Sequence, residues 1–174
     1  LALPDGVRSI GRCAFFGCKW LSNIVLPDSI TDIGSGAFTN CRLTTVTIPT
    51  GLASIEMNTF SGCNNLTSVV IPDGTIRILG NAFNCCSGLT EIIIPASVTY
   101  IDATAFQSCY ELRRVVVSRD CVVEEGTFPE GCVVEYHSRM EDVVLTFGFI
   151  RMIITQPPLM ALPLPAMKAN CLQI

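Results

Sequence analysis

The chain has 174 residues, of which 49% are hydrophobic and 15% are charged, with a formal net charge of −4. Its few Lys and Arg residues form no cluster, so we expect no nucleic-acid partner, which would need a basic patch. Leu1 is not followed by the charged and apolar segments of a signal peptide. We therefore expect the true N-terminus to lie upstream.

Four residue types recur along the chain with one period. The gaps between successive repeat prolines are 23, 22, 23 and 23 residues. Proline occupies positions 4, 27, 49, 72 and 95, phenylalanine 15, 38, 60, 83, 106 and 128, cysteine 18, 41, 63, 86, 109 and 132, and leucine 21, 43, 66, 89 and 112. A period shared by four residue types predicts an array of stacked units. The short gap results from a missing residue between Cys41 and Leu43.

Each unit contains one β-branched run, such as "SVVIP" or "EIIIP", which favours a strand. Alternate residues of a strand face the same side. We therefore expect Leu66, Val69 and Ile71 to point inward, and Ser68 and Val70 to point outward. The proline that follows each run has no N–H to donate, so it predicts the end of the strand. Stacked units then bury one another's apolar sides, and their strands are parallel.

The best copies of the unit are "IGSGAFTNCRLTTVTIP", "ILGNAFNCCSGLTEIIIP" and "IDATAFQSCYELRRVVVS". This pattern resembles the BspA-like leucine-rich repeats of bacterial surface proteins and many protist proteins. It differs from the common leucine-rich repeat in lacking an Asn residue after each strand, which would stack into a ladder. The resemblance implies a right-handed solenoid of five to six coils over residues 1–137. It places a parallel β-sheet on the concave side and short turns or helical pieces on the convex side. It also implies adhesion or recognition at a surface.

The final coil departs from the pattern, as terminal repeats do. Ser118 stands where proline is expected, and Pro129 adds a residue between Phe128 and Cys132. Residues 138–174 share nothing with the repeat and form a separate tail. Their apolar stretch, residues 143–154, is too short for a membrane span and contains Arg151. The alternatives for this tail are a loosely ordered segment, a short helix covering the solenoid end, and non-native coding sequence.

The repeating cysteines occupy one position per coil, which predicts a ladder of buried free thiols that pack as small apolar groups. Cys13 and Cys85 fall at variable positions where other coils have Gly, Asn, Thr or Ser, so we expect them to be exposed. The chain has one histidine, His137, and no Cys-x-x-Cys motif. We therefore predict no catalytic site, no metal and no cofactor. A thiol-redox protein is the alternative, and it would require a reactive ladder cysteine.

The outward face of the strands is the informative surface. Two columns of side chains face out, one mixed in polarity and one apolar at four of five positions. They are Asn23, Thr45, Ser68, Glu91 and Arg114 in the first, and Val25, Thr47, Val70, Ile93 and Val116 in the second. An exposed apolar stripe is a candidate protein-binding site, although strand propensity alone also explains β-branched residues there.

We predict a protein–protein interaction scaffold that binds its partner through this face. The alternative is the recognition segment of a larger enzyme or signalling protein. The residues leave localisation open: unpaired thiols favour a reducing compartment such as the cytoplasm, whereas the family resemblance favours the cell surface.

Overall fold

A computed structural model describes residues 1–137, which form a parallel β-solenoid of about six turns. The described residues contain no helix, so turns connect the strands where the sequence allowed turns or helical pieces. Predictions for the tail, residues 138–174, lie outside the described residues.

Each full coil carries two strands, separated by a turn at the repeat proline, or at Ser118 between β9 and β10. The first are the front strands, β3 (Thr45–Thr47), β5 (Ser68–Val70), β7 (Glu91–Ile93), β9 (Arg114–Val117) and β11 (Val133–Tyr136). The second are two-residue strands, β1 (Ser9–Ile10), β2 (Asp32–Ile33), β4 (Ser54–Ile55), β6 (Arg77–Ile78), β8 (Tyr100–Ile101) and β10 (Val122–Val123).

All strand pairs are parallel and join corresponding residues of successive coils. The two-residue strands pair in the order β10-β8-β6-β4, with β1 and β2 forming a separate pair. The front strands form two groups, β3-β5 and β11-β9-β7, and Val25 of the first coil bridges to Ala2. The front row is therefore interrupted, although every coil contributes a similar sequence to it.

The alternation of the front strands places their side chains as predicted. Val69 and Ile71 are buried with Leu66, whereas Ser68 and Val70 are exposed. The same in-and-out pattern recurs in β3 and β7. Burial of one aliphatic side chain contributes ~1.5–3 kcal/mol, and this repeating inward set forms one side of the core.

A column of phenylalanine rings occupies the turn that precedes each front strand. Neighbouring rings from Phe15 to Phe106 stack with centroids 5.2–5.5 Å apart and planes within 11° of parallel. The backbone of the same turn is paired between coils: Phe38 N–H donates to Thr59 O at 2.9 Å, and Phe60 N–H donates to Ala82 O at 2.8 Å. Phe128, in the atypical last coil, is tilted by 44° from Phe106.

This turn has a left-handed backbone at two positions in the coils of Phe15, Phe38, Phe60 and Phe83, and at one of the two in the coils of Phe106 and Phe128. The first position lies two residues before the phenylalanine and the second two residues after it. The residues with positive φ at these positions are Cys13, Gly36, Asn58, Asn81 and Gly126, then Gly17, Asn40, Gly62, Cys85 and Ser108. Gly and Asn tolerate this conformation best. The variable cysteines Cys13 and Cys85 are both exposed, as expected, and both stand at strained positions.

We predict that Phe60→Ala destabilises the solenoid by about 3–5 kcal/mol, because it removes a fully buried ring that stacks on two neighbours. The control is Phe16→Ala, since Phe16 is 57% exposed and its loss should change the free energy of unfolding by less than about 0.5 kcal/mol. Urea denaturation followed by circular dichroism measures both. Equal effects of the two substitutions would contradict the role of the ring column.

We also predict that Cys85→Gly stabilises the chain. Cys85 has φ of 58°, which costs an L-residue about 1–2 kcal/mol, whereas glycine loses about 0.5–1 kcal/mol of chain entropy. The net gain is up to about 1 kcal/mol in the same denaturation experiment. Cys85→Ala keeps the Cβ atom and serves as the control, for which no gain is expected.

Candidate functional site

The candidate site is the outward face of the front strands, which we call the front face. It is built by alternation: because inward residues of each strand are fixed in the core, the residues between them must point out. Eight of the ten predicted residues are exposed. They are Asn23, Val25, Thr45, Thr47, Ser68, Val70, Glu91 and Ile93.

The other two predicted residues, Arg114 and Val116, are only partly exposed. The reason is β11, which pairs with β9 and places Glu135 opposite Val116. The repeat pattern weakens near this strand, so Val133 and Glu135 were not among the residues predicted for the face. The alternation in "CVVEYH" was the available signal.

The apolar column of the front face consists of separate side chains that project into solvent. Val25 is 64% exposed, Ile93 55% and Val70 53%. Pairing brings Thr47 beside Val70 and Ile93 beside Val116. No strand pairing joins Val25 to Thr47 or Val70 to Ile93, so the column has one break before β3 and another between β5 and β7.

A charged cluster lies at the C-terminal part of the front face. The Arg114 guanidinium donates from Nε and Nη2 to both carboxylate oxygens of Glu135, at 3.0 and 2.9 Å. A longer bond of 3.5 Å joins its Nη1 to Glu91. Arg114 lowers the pKa of Glu135, first through the hydrogen bonds and then through its charge. Glu135 is thus the firmly held carboxylate, and Glu91 is the one more available to a partner.

The last front strand is fastened by the single histidine. His137 N–H donates to Val117 O at 3.1 Å, and its Nε2 lies 2.6 Å from Ile94 O, beyond β9. This contact ties the end of β11 to the coil that contains β7. His137 is therefore engaged by the backbone, and the geometry gives it a structural role.

The cysteine ladder lies inside the coil, behind the phenylalanine turn. Each central thiol donates to the phenylalanine carbonyl of the preceding coil, at Sγ–O distances of 3.0–3.2 Å. The pairs are Cys41 with Phe15, Cys63 with Phe38, Cys86 with Phe60, and Cys109 with Phe83. A small side chain with a weak donor suits this site, and the sequence did not reveal the bond.

Burial makes these thiols poor nucleophiles. Loss of solvent raises the pKa of Cys63 from 9.0 to about 12, and raises that of Cys41 and Cys109 to about 11. Because the thiolate is the reactive form, only a very small fraction of each of these thiols is deprotonated and reactive near neutral pH. The described residues also contain no group of His, Cys, Asp and Glu that could hold a metal ion. The geometry of residues 1–137 therefore does not support thiol-redox chemistry in the ladder.

We predict that the ladder thiols make the protein sensitive to alkali. Their folded pKa lies above the unfolded value, so their contribution is complete below pH 9 and is lost as pH rises toward 11–12. Above pH 9 the free energy of unfolding falls as pH rises, and each such thiol contributes about 1.4 kcal/mol per pH unit to this slope. Cys63→Ala removes one thiol and should make the slope shallower by that amount. Urea denaturation at several pH values measures this slope.

The control for this experiment is Ala82→Gly, which alters a buried residue that does not titrate. It should lower stability without changing the slope. A thiol-labelling reagent provides a second readout: the exposed Cys13 and Cys85 should react at once, and the central ladder thiols only on unfolding. A pH slope that is the same in both variants would contradict the prediction.

In the described part of the chain, no helix has the length and apolar character needed to cross a membrane.

Comparison with known proteins identifies the repeat. The family model of the BspA-type leucine-rich repeat region matches residues 1–113 in six copies. The crystal structure of a leucine-rich cell surface protein from Faecalibacterium prausnitzii matches 83% of this chain and 33% of its own, at 32% identity and a TM-score of 0.65. A leucine-rich repeat protein from Eubacterium ventriosum matches 75% of this chain and 36% of its own, at 30% identity and a TM-score of 0.68.

The chain thus spans about a third of the length of each of these two bacterial proteins. No curated protein sequence matches it significantly. The family match confirms the resemblance and the solenoid fold that the repeat predicted. The chain belongs to the BspA-type leucine-rich repeat family.

Proposed function

We propose that this chain is a repeat scaffold that binds a protein partner through its front face. One observation carries the proposal: Val25, Val70 and Ile93 each expose more than half of their surface on the front face. A polar residue, Thr47, occupies the equivalent outward position in β3. The apolar residues therefore offer contact area beyond what the strands require.

The distribution of polar groups supports the same function. Apolar side chains at the centre of an interface supply most of the affinity, whereas charges at its rim set orientation and specificity. On the front face, Val70 and Ile93 are central in the row of strands, and the cluster of Glu91, Arg114 and Glu135 lies toward one end. A partner that covers both would have a defined orientation.

Adhesion or recognition at a cell surface is the setting that we propose for this binding. It is supported by the similarity to a protein described as a leucine-rich cell surface protein. The alternative is that the chain is the recognition segment of a larger enzyme or signalling protein. The intact open reading frame distinguishes the two, since further repeats favour adhesion and a catalytic domain favours the second.

Site-specific photocrosslinking tests the proposal. A benzophenone amino acid at position 70 should capture a partner from the source organism or its surroundings, whereas the same group at position 77, an exposed residue of β6, should not. With the purified partner, the double variant Val70→Glu, Ile93→Glu should weaken binding at least about tenfold. Arg77→Glu is the control and should leave the affinity unchanged.

Equal capture from positions 70 and 77, or equal loss of affinity in the two variants, would rule out the front face as the binding surface.

A further inference from the structure

The row of front strands opens at one joint. Between β3 and β5, Thr67 N–H donates to Thr44 O and Ile48 N–H donates to Val70 O, both at 2.9 Å. The same two bonds join β7 and β9, from Arg113 to Thr90 O and from Ile94 to Val116 O. Between β5 and β7 neither bond forms, and no strand pairing is present.

The coils stay together elsewhere at this joint. Phe60 N–H still donates to Ala82 O at 2.8 Å, Gly62 N–H donates to Asn84 O at 2.7 Å, and β4 pairs with β6. Only the front strands separate. Their separation leaves a groove of about 440 Å³ that runs between β5 and β7.

The groove reaches the core. Val69 and Ile71, the inward residues of this edge, are 9% and 8% exposed, whereas Ile92 and Ile94 are 2% and 0% exposed. Outward, the groove is walled by the exposed side chains of Val70 and Ile93. A ligand here would contact aliphatic walls and, at the floor, main-chain groups without a partner in the sheet.

Those main-chain groups restrict the ligand. By position, two bonds are unmade, from Thr90 N–H to Thr67 O and from Ile71 N–H to Ile93 O. The second lies between Val70 and Ile93, where the floor presents one donor and one acceptor. Covering them with a purely apolar group would leave both unpaired and away from water, which is unfavourable. A lysine or arginine head only donates, whereas a carboxamide both donates and accepts. Glutamine has in addition a methylene stem that matches the aliphatic walls.

The carboxylate of Glu91 favours a cation as a second feature of the partner. Glu91 lies two residues before Ile93 on β7 and is bound by Arg114 only at 3.5 Å, since Arg114 is engaged by Glu135 at 2.9 Å. In an extended segment lying along the groove, residues two apart face the same side and are about 6.8 Å apart. A glutamine over the floor would therefore place the residue two positions away beside Glu91, where a cation fits.

We propose that the opening between β5 and β7 is the specificity pocket of the front face. It accepts an extended segment of a protein partner that carries glutamine and, two residues away, lysine or arginine. The glutamine carboxamide accepts from Ile71 N–H and donates to Ile93 O, which bridges one of the interrupted bonds of the ladder. This proposal rests on the proposed function, because it specifies the partner of the same surface.

The test uses the peptide acetyl-Gly-Ser-Lys-Thr-Gln-Ser-Gly-amide and the full chain labelled with ¹⁵N. In two-dimensional NMR spectra, millimolar peptide should shift the amide signals of Val69, Ile71, Glu91 and Ile93. Amide hydrogen exchange should be fast at Ile71 in the free chain and slow at Ile48 and Ile94, whose N–H groups are bonded. Saturating peptide should slow exchange at Ile71.

Matched changes in peptide and protein identify each contact. Replacement of the peptide glutamine by leucine should abolish the effect on Ile71, and replacement of the lysine by glutamate should weaken binding. Glu91→Gln should weaken binding about two- to fivefold, the range of an exposed ion pair. Glu111→Gln is the control, because its side chain is 60% exposed, close to the 64% of Glu91, and contacts Arg113 away from the groove.

Absence of these shifts, or equal binding of the leucine peptide, would overturn the proposal. So would protection of Ile71 in the free chain equal to that of Ile48 and Ile94. The proposed function fails separately: a partner that crosslinks at position 70 while the peptide has no effect keeps the front face as a binding surface and removes only this pocket.

Discussion

The stacked phenylalanine turn is the constraint on which the rest of the solenoid depends. Ring planes lie within 11° of parallel from Phe15 to Phe106, and backbone bonds such as that from Phe83 to Ala105 join each turn to the next. The ladder thiols donate to carbonyls of the same turn. Successive coils are thus held in register here even where their front strands separate.

The fold was predictable because its signals are local and repeated. The shared period predicts a solenoid, and alternation within "SVVIP" places Val69 inside and Val70 outside, as the structure does. The interruption between β5 and β7 was not predictable, since both strands carry the same pattern as those that pair. The left-handed conformation of Cys85 was hidden for another reason: cysteine is not a residue type that marks such a position.

The sequence predicted which residues of the candidate site face outward, but not how they contact one another. Alternation identified the outward residues, yet Arg114 and Val116 are partly covered because β11 continues the row. The pairing of Arg114 with Glu135 depends on that strand, which the sequence assigned to the end of the pattern. The alternation in "CVVEYH" indicates which residues of this strand face out, but the contact of Glu135 with Arg114 arises from packing of the last coil against β9.

Continuous bonding on one side of the coil and interrupted bonding on the other give the array an anisotropic stiffness. The phenylalanine side resists bending, whereas the joint between β5 and β7 has no front hydrogen bond to stretch or break. That joint therefore offers the least resistance to a hinge motion that moves β5 and β7 apart or together. A solenoid with such a bending axis can match its curvature to a partner at little elastic cost, without disturbing the stacked rings.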